Sequence, residues 1–175
     1  MTSDAPQALE IFAQADLPTQ FGEFQIVAFR RDGVRLDDVA LVRGNVKGRF
    51  NVPVRVHSEC LTGDVFHSLR CDCRQQLEAA QRHFAELPEA IILYMRQEGR
   101  GIGIANKVAA YRLQEQGYDT VDANVHLGYD DDLRSYDTAA EMLRTLGVGS
   151  IDLYTNNPRK IDGLRACGIE VVGRE

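Results

Sequence analysis

Three cysteines lie within fourteen residues of this chain, as Cys60, Cys71 and Cys73. Thiolates are soft ligands that suit zinc, and a tetrahedral ion with three protein ligands keeps one position open. Water at such a position ionises with a pKa of about 7, which supplies a hydroxide-like nucleophile at neutral pH. The spacing therefore favours a catalytic zinc site.

Two histidines leave the number of metal ligands open. His57 lies three residues before Cys60, and His67 lies inside the loop between the first two cysteines. Either histidine could be a fourth ligand, and a site closed by four protein ligands is typically structural. A cluster without metal is the least favoured alternative, because Arg70 and Arg74 make this stretch polar and basic. On spacing alone, the catalytic and structural alternatives both stand.

A glycine-rich segment, residues 99–103, forms the second candidate site. Its third glycine comes one residue too early for the dinucleotide-binding pattern G-x-G-x-x-G, and no G-K-[ST] of a Walker loop follows. Glycines still let a backbone approach a ligand closely, and the start of the following helix favours an anion. Arg96 and Arg100 strengthen the anion site, while Glu98 could accept hydrogen bonds from the N–H edge of a purine. The alternative is a glycine turn with solvated charges.

Two later segments carry further polar groups. Asp132 and Arg134 are two residues apart, so in an extended stretch their side chains share a side. On the residues alone, a solvated charged loop is the favoured interpretation there. Thr155 and Lys160 surround an Asn-Pro helix start at residues 157–158, which is a suitable seat for a phosphate group.

The elements that must position these residues alternate between strand and helix after residue 73. Six strands are predicted, at Phe24–Phe29, Asp38–Arg43, Val52–Val56, Ala90–Tyr94, Ile151–Tyr154 and Ile169–Val172. Four helices are predicted: residues 74–86, a helix through Ile104, Val108 and Tyr111 that Gly117 ends, a helix with a Thr138–Glu141 capping box that Gly147 ends, and a helix from Asn157-Pro158 to Gly168. This order predicts an α/β fold, with a mixed sheet flanked by helices and an antiparallel β portion at the N-terminus.

Composition limits the class of protein. The chain has 175 residues, 44% of them hydrophobic and 26% charged, so we expect a single globular domain over residues 1–175. A net charge of −6 argues against a nucleic-acid-binding surface. No apolar run is long enough for a membrane span, and the N-terminus lacks the basic-then-apolar pattern of an export signal. Clustered cysteines without such a signal fit a reducing compartment, which predicts a cytoplasmic protein.

Taken together, four segments resemble the GTP cyclohydrolase II family: Arg55–Asp64, Leu69–Cys73, Arg96–Gly103 and Thr155–Pro158. The resemblance runs in order from about Leu17 to Val172. It implies a hydrolase that opens the imidazole ring of GTP and releases formate from C8 and pyrophosphate from the triphosphate. The remaining product, 2,5-diamino-6-(5-phosphoribosylamino)pyrimidin-4(3H)-one, would enter riboflavin biosynthesis. The chain leaves no room for the family's common partner domain, dihydroxybutanone-phosphate synthase, so we expect the monofunctional form.

The resemblance also implies a role for each matching residue. Zinc would be held by Cys60, Cys71 and Cys73, and not by either histidine. GTP contacts would come from Arg55, Val56, His57, Ser58, Glu59, Gln76, Glu98, Gly99, Arg100, Thr120, Thr155 and Lys160. Asp132 would be the proton acceptor, Arg134 the nucleophile toward the α-phosphorus, and Tyr111 a residue near the base. Mg²⁺ bound with the triphosphate, GTP as the small-molecule partner, and a homodimer complete what the family implies.

Arg134 has a second interpretation on chemical grounds. A guanidinium stays protonated at any pH at which proteins are folded, so it is a poor nucleophile unless a base removes a proton as it attacks. Asp132 could be that base, but a carboxylate beside a cation becomes less basic. The alternative is that Arg134 acts as an electrostatic clamp on the α-phosphate while pyrophosphate leaves.

Two other functions remain open from the residues alone. A paralogue could open the ring and stop at the formamide, and Tyr111 and Met95 are the residues that would tune the second hydrolysis. A zinc-stabilised nucleotide-binding protein without turnover is the other alternative. The presence of Asp132 and Arg134 in addition to the three cysteines favours an enzyme.

Overall fold

A computed structural model of the chain describes residues 8–119, 128 and 132–175. The strands are β1 (Glu10–Thr19), β2 (Gly22–Arg31), β3 (Val34–Arg43), β4 (Val52–Ser58), β5 (Ala90–Met95), β6 (Ile151–Leu153) and β7 (Val171–Arg174). The helices are α1 (Cys73–Ala85), α2 (Gly103–Glu115), α3 (Asp137–Thr145) and α4 (Pro158–Ala166). A π-helical turn at Leu61–Val65 follows β4, and a 3₁₀ turn at Glu98–Gly101 follows β5.

All seven strands belong to one mixed sheet, in the order β1-β2-β3-β5-β4-β6-β7. The pairs β1–β2, β2–β3 and β3–β5 are antiparallel. The pairs β4–β6 and β6–β7 are parallel. The predicted α/β class, with its antiparallel portion at the N-terminus, is confirmed.

The described residues fall into two compact units. The first, here called the sheet unit, draws on Met1–His57, Gln76–Met95 and Tyr136–Glu175. The second, here called the cysteine unit, draws on Ser58–Gln75 and Arg96–Ser135. The chain passes between the units after residues 57, 75, 95 and 135, so neither unit is a continuous stretch of sequence. The expectation of a single domain over residues 1–175 stays a prediction.

Strand β5 forms the centre of the sheet unit because both of its faces are buried. Successive side chains of a strand point to opposite faces. Ile91 and Leu93 accordingly pack into a cluster that includes Met142 of α3. Ile92 packs on the other face, in a cluster with Phe84 of α1. The apolar run that predicted this strand is therefore the signature of a strand covered on both sides.

The sequence predicts a capping motif at the start of two helices, and the structure has one of these motifs but not the other. Asn157 is confirmed as an N-cap, since its side chain accepts a hydrogen bond from the Arg159 backbone N at 3.0 Å. The capping box at Thr138 is wrong, because α3 begins one residue earlier and its N-cap, Tyr136, makes no side-chain cap bond. Glu141 pairs with Arg31 at 2.6 Å and is not turned back onto the helix start.

Strand β1 is absent from the sequence-based prediction. Its first seven residues, 10–16, are all exposed, so neither face gives the alternation that marks a half-buried strand. Pairing with β2 across a tight connection forms it instead. The last strand was predicted two residues too early, at Ile169–Val172, and lies at Val171–Arg174. Among the described residues, none of the helices combines the length and the apolar character that crossing a bilayer requires.

Candidate metal centre and adjoining pocket

The three cysteines converge because two short elements turn the chain between them. Cys60 directly precedes the π-helical turn, and Cys73 is the first residue of α1. The Sγ atoms of Cys60 and Cys71 are 3.5 Å apart, and all three Sγ atoms lie within 4.8 Å of one another. Tetrahedral zinc with Zn–S bonds of about 2.3 Å requires sulfur atoms about 3.8 Å apart. The cluster therefore has the size that a zinc ion needs.

Gly63 brings the backbone against the thiols. A Cβ atom built on Gly63 would lie 2.7 Å from the Cys71 Sγ and 3.1 Å from the Cys60 Sγ. Cβ atoms in proteins essentially never approach sulfur this closely, and Gly63 is itself buried. The absence of a side chain at this position is thus a condition for the three sulfur atoms to meet.

We expect Gly63→Ala to weaken zinc binding, because the added methyl group must displace at least one thiol. Metal affinity is sensitive to such changes, and disturbing groups around a site typically costs about 10- to 100-fold. Zinc content after dialysis against a graded chelator measures the effect. Gly149→Ala is the matched control, since its backbone is not left-handed and a Cβ there meets only the exposed ring of Phe50, and it should keep its zinc. Full zinc retention by Gly63→Ala would contradict the crowding argument.

Cys60 and Cys73 have pKa values that are shifted in opposite directions. Burial alone would raise its pKa, but hydrogen bonds from Lys107 Nζ (3.1 Å) and the Thr62 hydroxyl (3.6 Å) leave the pKa of Cys60 below its usual value. Burial and the neighbouring Cys60 thiol raise the pKa of Cys73. Cys60 therefore ionises more readily than Cys73.

The metal-capable cluster consists of the three cysteines, and neither histidine belongs to it among the described residues. His67 Nε2 lies 2.6 Å from Arg74 Nη1. His57, in the sheet unit, stacks on Tyr94 with ring centroids 5.5 Å apart. Between the catalytic and structural alternatives, this donor set favours the site with three protein ligands.

A pocket of about 370 Å³ in the cysteine unit adjoins the cluster. It is lined by the loop that carries the three cysteines (residues 58–73, here called the metal loop), by the residues around the glycine segment, by one face of α2 and by Arg134. The lining residues are Ser58, Glu59, Cys60, Arg70, Cys71, Cys73, Gln97, Glu98, Gly99, Arg100, Ile102, Lys107, Ala110, Tyr111, Gln114 and Arg134. Two lining atoms, Ser58 Oγ and Gln97 Oε1, are buried without a hydrogen-bond partner among the described residues. Buried polar atoms normally find partners, so these two indicate a polar ligand.

The glycine segment includes residues with a left-handed backbone, and it contacts the chain at Leu133. Gly99 and Arg100 have φ values of 60° and 61°, in the left-handed region that few residues other than glycine adopt. The Arg100 carbonyl accepts a hydrogen bond from the Leu133 backbone N at 3.0 Å. A Cβ on Gly101 would meet the Leu133 backbone at 3.2 Å, so this glycine is needed for the close approach.

Asp132 and Arg134 form a two-pronged ion pair. Arg134 Nε donates to Asp132 Oδ1 at 2.8 Å and Nη2 donates to Oδ2 at 2.6 Å, with side chains only 13% and 10% exposed. Burial raises the pKa of the Asp132 carboxyl, but these hydrogen bonds outweigh it and leave the pKa below its usual value. The solvated-loop interpretation is therefore wrong for this pair, and Asp132 is a weak base.

The Glu98 carboxylate is held by hydrogen bonds from the metal loop, from its neighbour Gly99 and from α2. Its Oε1 accepts hydrogen bonds from the Gly99 backbone N at 2.8 Å and from Lys107 Nζ at 2.7 Å. Its Oε2 accepts one from the Leu61 backbone N at 2.6 Å. A carboxylate has about four acceptor sites, so these three bonds leave about one for a ligand. Nearby, Glu59 pairs with Arg96 at 2.9 Å, although burial raises the pKa of this carboxyl above its usual value.

Tyr111 is held in place on α2. Its hydroxyl lies 3.3 Å from the Thr62 hydroxyl, and the Arg70 guanidinium lies over its ring, 4.6 Å from the centroid. Lys107 lies one helical turn before Tyr111, and sequence reasoning missed it. The spacing of four residues, which puts two side chains on one helix face, was the available signal.

The sheet unit gathers another part of the predicted set, at the carboxyl ends of β4 and β6. Arg55 Nη2 donates to Gln76 Oε1 at 2.7 Å. Lys160 Nζ is buried and donates to the Val56 carbonyl at 2.6 Å. Thr155 is buried just after β6. Thr120 lies outside the described residues. The sequence-predicted residues are thus brought together within each unit.

The sequence profile of a family described as GTP cyclohydrolase II matches residues 10–175. The chain is 52% identical to a GTP cyclohydrolase-2 of Cronobacter sakazakii over 166 residues, which cover 95% of this chain and 84% of that protein. It is 55% identical over 159 residues to the riboflavin biosynthesis protein RibBA of Endomicrobium trichonymphae, covering 91% of this chain. The chain spans only 40% of the length of that RibBA protein.

Among solved structures, the crystal structure of RibBX, a two-domain 3,4-dihydroxy-2-butanone 4-phosphate synthase from A. baumannii, has a TM-score of 0.51. The match covers 97% of this chain and 40% of that one, with 22% sequence identity. At this identity the similarity concerns the fold alone.

Proposed function

Because this chain belongs to the GTP cyclohydrolase II family, we propose that it opens the imidazole ring of GTP and releases formate and pyrophosphate. The organic product would be 2,5-diamino-6-(5-phosphoribosylamino)pyrimidin-4(3H)-one, at the first step of riboflavin biosynthesis. The observation that carries the proposal is the three-cysteine cluster on the wall of a pocket that Arg134 also lines. A metal-binding group and a phosphate-binding group then serve one cavity.

In this proposal Cys60, Cys71 and Cys73 hold one zinc ion. The sulfur separations and the missing side chain at Gly63 support that assignment. When bound, zinc would activate water for hydrolysis at neutral pH. The protein's part would be to present three sulfur ligands on the wall of the pocket.

Arg134 would act on the phosphates as an electrostatic clamp. Its guanidinium is held by Asp132 in a fixed orientation, and a preorganised cation stabilises charge that develops as pyrophosphate leaves. The lowered pKa of Asp132 supports this role over nucleophilic attack, because a weak base cannot readily strip a proton from a guanidinium. Mg²⁺ would accompany the triphosphate and neutralise the leaving group.

The GTP contacts in this proposal are the residues that the family resemblance assigns. In the cysteine unit they would be Ser58, Glu59, Glu98, Gly99 and Arg100, with Tyr111 near the base. The unpartnered Ser58 Oγ and the remaining acceptor site of Glu98 support polar contacts with the ligand. In the sheet unit they would be Arg55, Val56, His57, Gln76, Thr155 and Lys160. Thr120, which lies outside the described residues, completes the proposed set.

We further propose that the protein works as a cytoplasmic homodimer. Its four free cysteines, three of them clustered, suit a reducing compartment. Light scattering coupled to size exclusion should give twice the mass of 19.5 kDa. A mass of 19.5 kDa at micromolar concentration would contradict the dimer.

The proposed reaction is tested by incubating the protein with GTP and Mg²⁺ and quantifying formate and pyrophosphate. Equal amounts of both products are expected. Pyrophosphate without formate would identify a paralogue that retains the formamide. The absence of both products, with GTP still bound, would identify a nucleotide-binding protein without turnover.

A further inference from the structure

Lys107 makes two short contacts inside the cysteine unit that none of the roles above uses. Its Nζ donates to the Cys60 Sγ at 3.1 Å and to Glu98 Oε1 at 2.7 Å. The Lys107 and Glu98 side chains are only 14% and 8% exposed. Withdrawing an ammonium group from water is costly unless it is paired, so both partners are needed to keep it there.

The pair Lys107–Glu98 holds the start of the metal loop at two successive residues. Lys107 contacts the sulfur of Cys60, and Glu98 Oε2 accepts the backbone N–H of Leu61 at 2.6 Å. Glu98 belongs to the 3₁₀ turn and Lys107 to α2. The first metal ligand is thereby fixed to two other elements of the same unit.

The balance of charge around Cys60 also indicates that the Lys107 ammonium stabilises this site. Three thiolates with one divalent ion carry a net negative charge, and the Glu98 carboxylate is a second negative group beside them. The ammonium of Lys107 donates to both groups. Without it, two buried negative groups would face each other without a bridge, which weakens both. An N–H bond to a sulfur ligand also withdraws electron density from that sulfur.

We propose that Lys107 is a positioning residue of the metal site, which holds the Cys60 sulfur in place by a hydrogen bond and ties it to the Glu98 carboxylate. The proposal rests on zinc binding by the three cysteines, as proposed above. It does not depend on GTP turnover. A solely structural alternative makes Lys107 an ordinary ion-pair partner of Glu98 that keeps α2 in place.

The test compares Lys107→Met, which removes the charge and the donors, with Lys107→Arg, which retains both. Arg112→Met is the matched control, because Arg112 lies on the same helix with a side chain that is 74% exposed. Zinc dissociation constants are measured by competition with a chromophoric chelator. We expect Lys107→Met to bind zinc about 10- to 100-fold more weakly, the range typical for partners of metal ligands. Lys107→Arg should recover most of this loss, and Arg112→Met should match the parent.

Cobalt substitution gives a readout that a solely structural role would not move. The thiolate-to-cobalt charge-transfer band reports the energy of the sulfur electrons. Loss of a cationic N–H donor raises that energy, so the band of Lys107→Met should shift to longer wavelength, and that of Lys107→Arg should stay near the parent. An unshifted band and a zinc dissociation constant equal to that of the parent would overturn the proposal.

Circular dichroism and thermal unfolding of each variant identify any failure to fold. Should Lys107→Met be unfolded, Lys107→Gln decides by the same two measurements, since its neutral amide keeps an N–H donor but not the charge. Weak zinc binding by Lys107→Gln with a shifted cobalt band supports the proposal, and parent-like values overturn it. Failure of the parent itself to bind zinc would instead contradict the metal assignment under the proposed function.

Discussion

Cys71→Ser is expected to lose its zinc and to release no detectable formate from GTP. The substitution removes one of three sulfur ligands together with its negative charge, and a serine hydroxyl does not replace a thiolate on zinc. Metal analysis of the purified protein and an enzymatic formate assay measure the two effects. Because two thiolates bind zinc more weakly than three, the remaining two cysteines should not retain the ion at micromolar zinc.

Cys167→Ser is the matched control for this experiment. Cys167 lies in the sheet unit, where its Sγ contacts Asp137 Oδ1 at 3.2 Å, and it is not a member of the metal-capable cluster. It should keep about one zinc per chain and its full rate of formate release. Formate release by a zinc-free Cys71→Ser protein would contradict the metal-dependent account.

Arg134→Met is expected to lower kcat with GTP on the order of a hundred- to a thousand-fold, the usual cost of losing one preorganised charge-stabilising contact. The change also removes the Arg134 cation from the Asp132 carboxylate, which is only 10% exposed, so the thermal unfolding midpoint should fall as well. Arg134→Lys keeps a positive charge but loses the planar fork, and its kcat should fall by less. Steady-state kinetics with pyrophosphate detection give kcat for the parent, Arg134→Met and Arg134→Lys. Thermal unfolding gives the midpoints.

The clamp and the nucleophile make opposite predictions for intermediates. Rapid quenching of the parent enzyme during turnover, followed by intact-mass analysis, should show no guanylyl group on the protein. A guanylyl adduct mapped to Arg134 would overturn the clamp. Arg112→Lys is the control for the arginine-to-lysine change, because Arg112 is exposed and its substitution should leave kcat unchanged.

The fold could be predicted where the signal is local. The apolar run of β5 and the Asn157 cap depend on neighbours in sequence, and both are confirmed. Strand β1 could not be predicted, because an exposed strand is formed by its pairing with β2 and not by its own pattern. The false capping box at Thr138 shows the converse: a motif was present, but α3 starts one residue before it.

In the candidate site, too, the features that depend on neighbours in sequence could be predicted and those that depend on folding could not. Three soft ligands close in sequence predicted the metal cluster directly. The close approach of Gly63 to the cysteine sulfurs and the hydrogen bond from Lys107 to Cys60 could not be predicted, because these residues meet only after folding. Asp132 and Arg134 were read from the residues alone as a solvated loop, and burial is what turns them into a rigid pair.

We propose that this chain removes C8 of GTP as formate, and GTP labelled with carbon-13 at C8 tests this reaction most directly. Carbon-13 NMR of the zinc-loaded protein with labelled GTP and Mg²⁺ should show the C8 signal disappear and a formate signal grow in equal amount. Cys71→Ser, treated identically, should leave the C8 signal of GTP in place. A label that ends in a formamide, or stays in GTP while the protein holds its zinc and binds the nucleotide, would contradict the account.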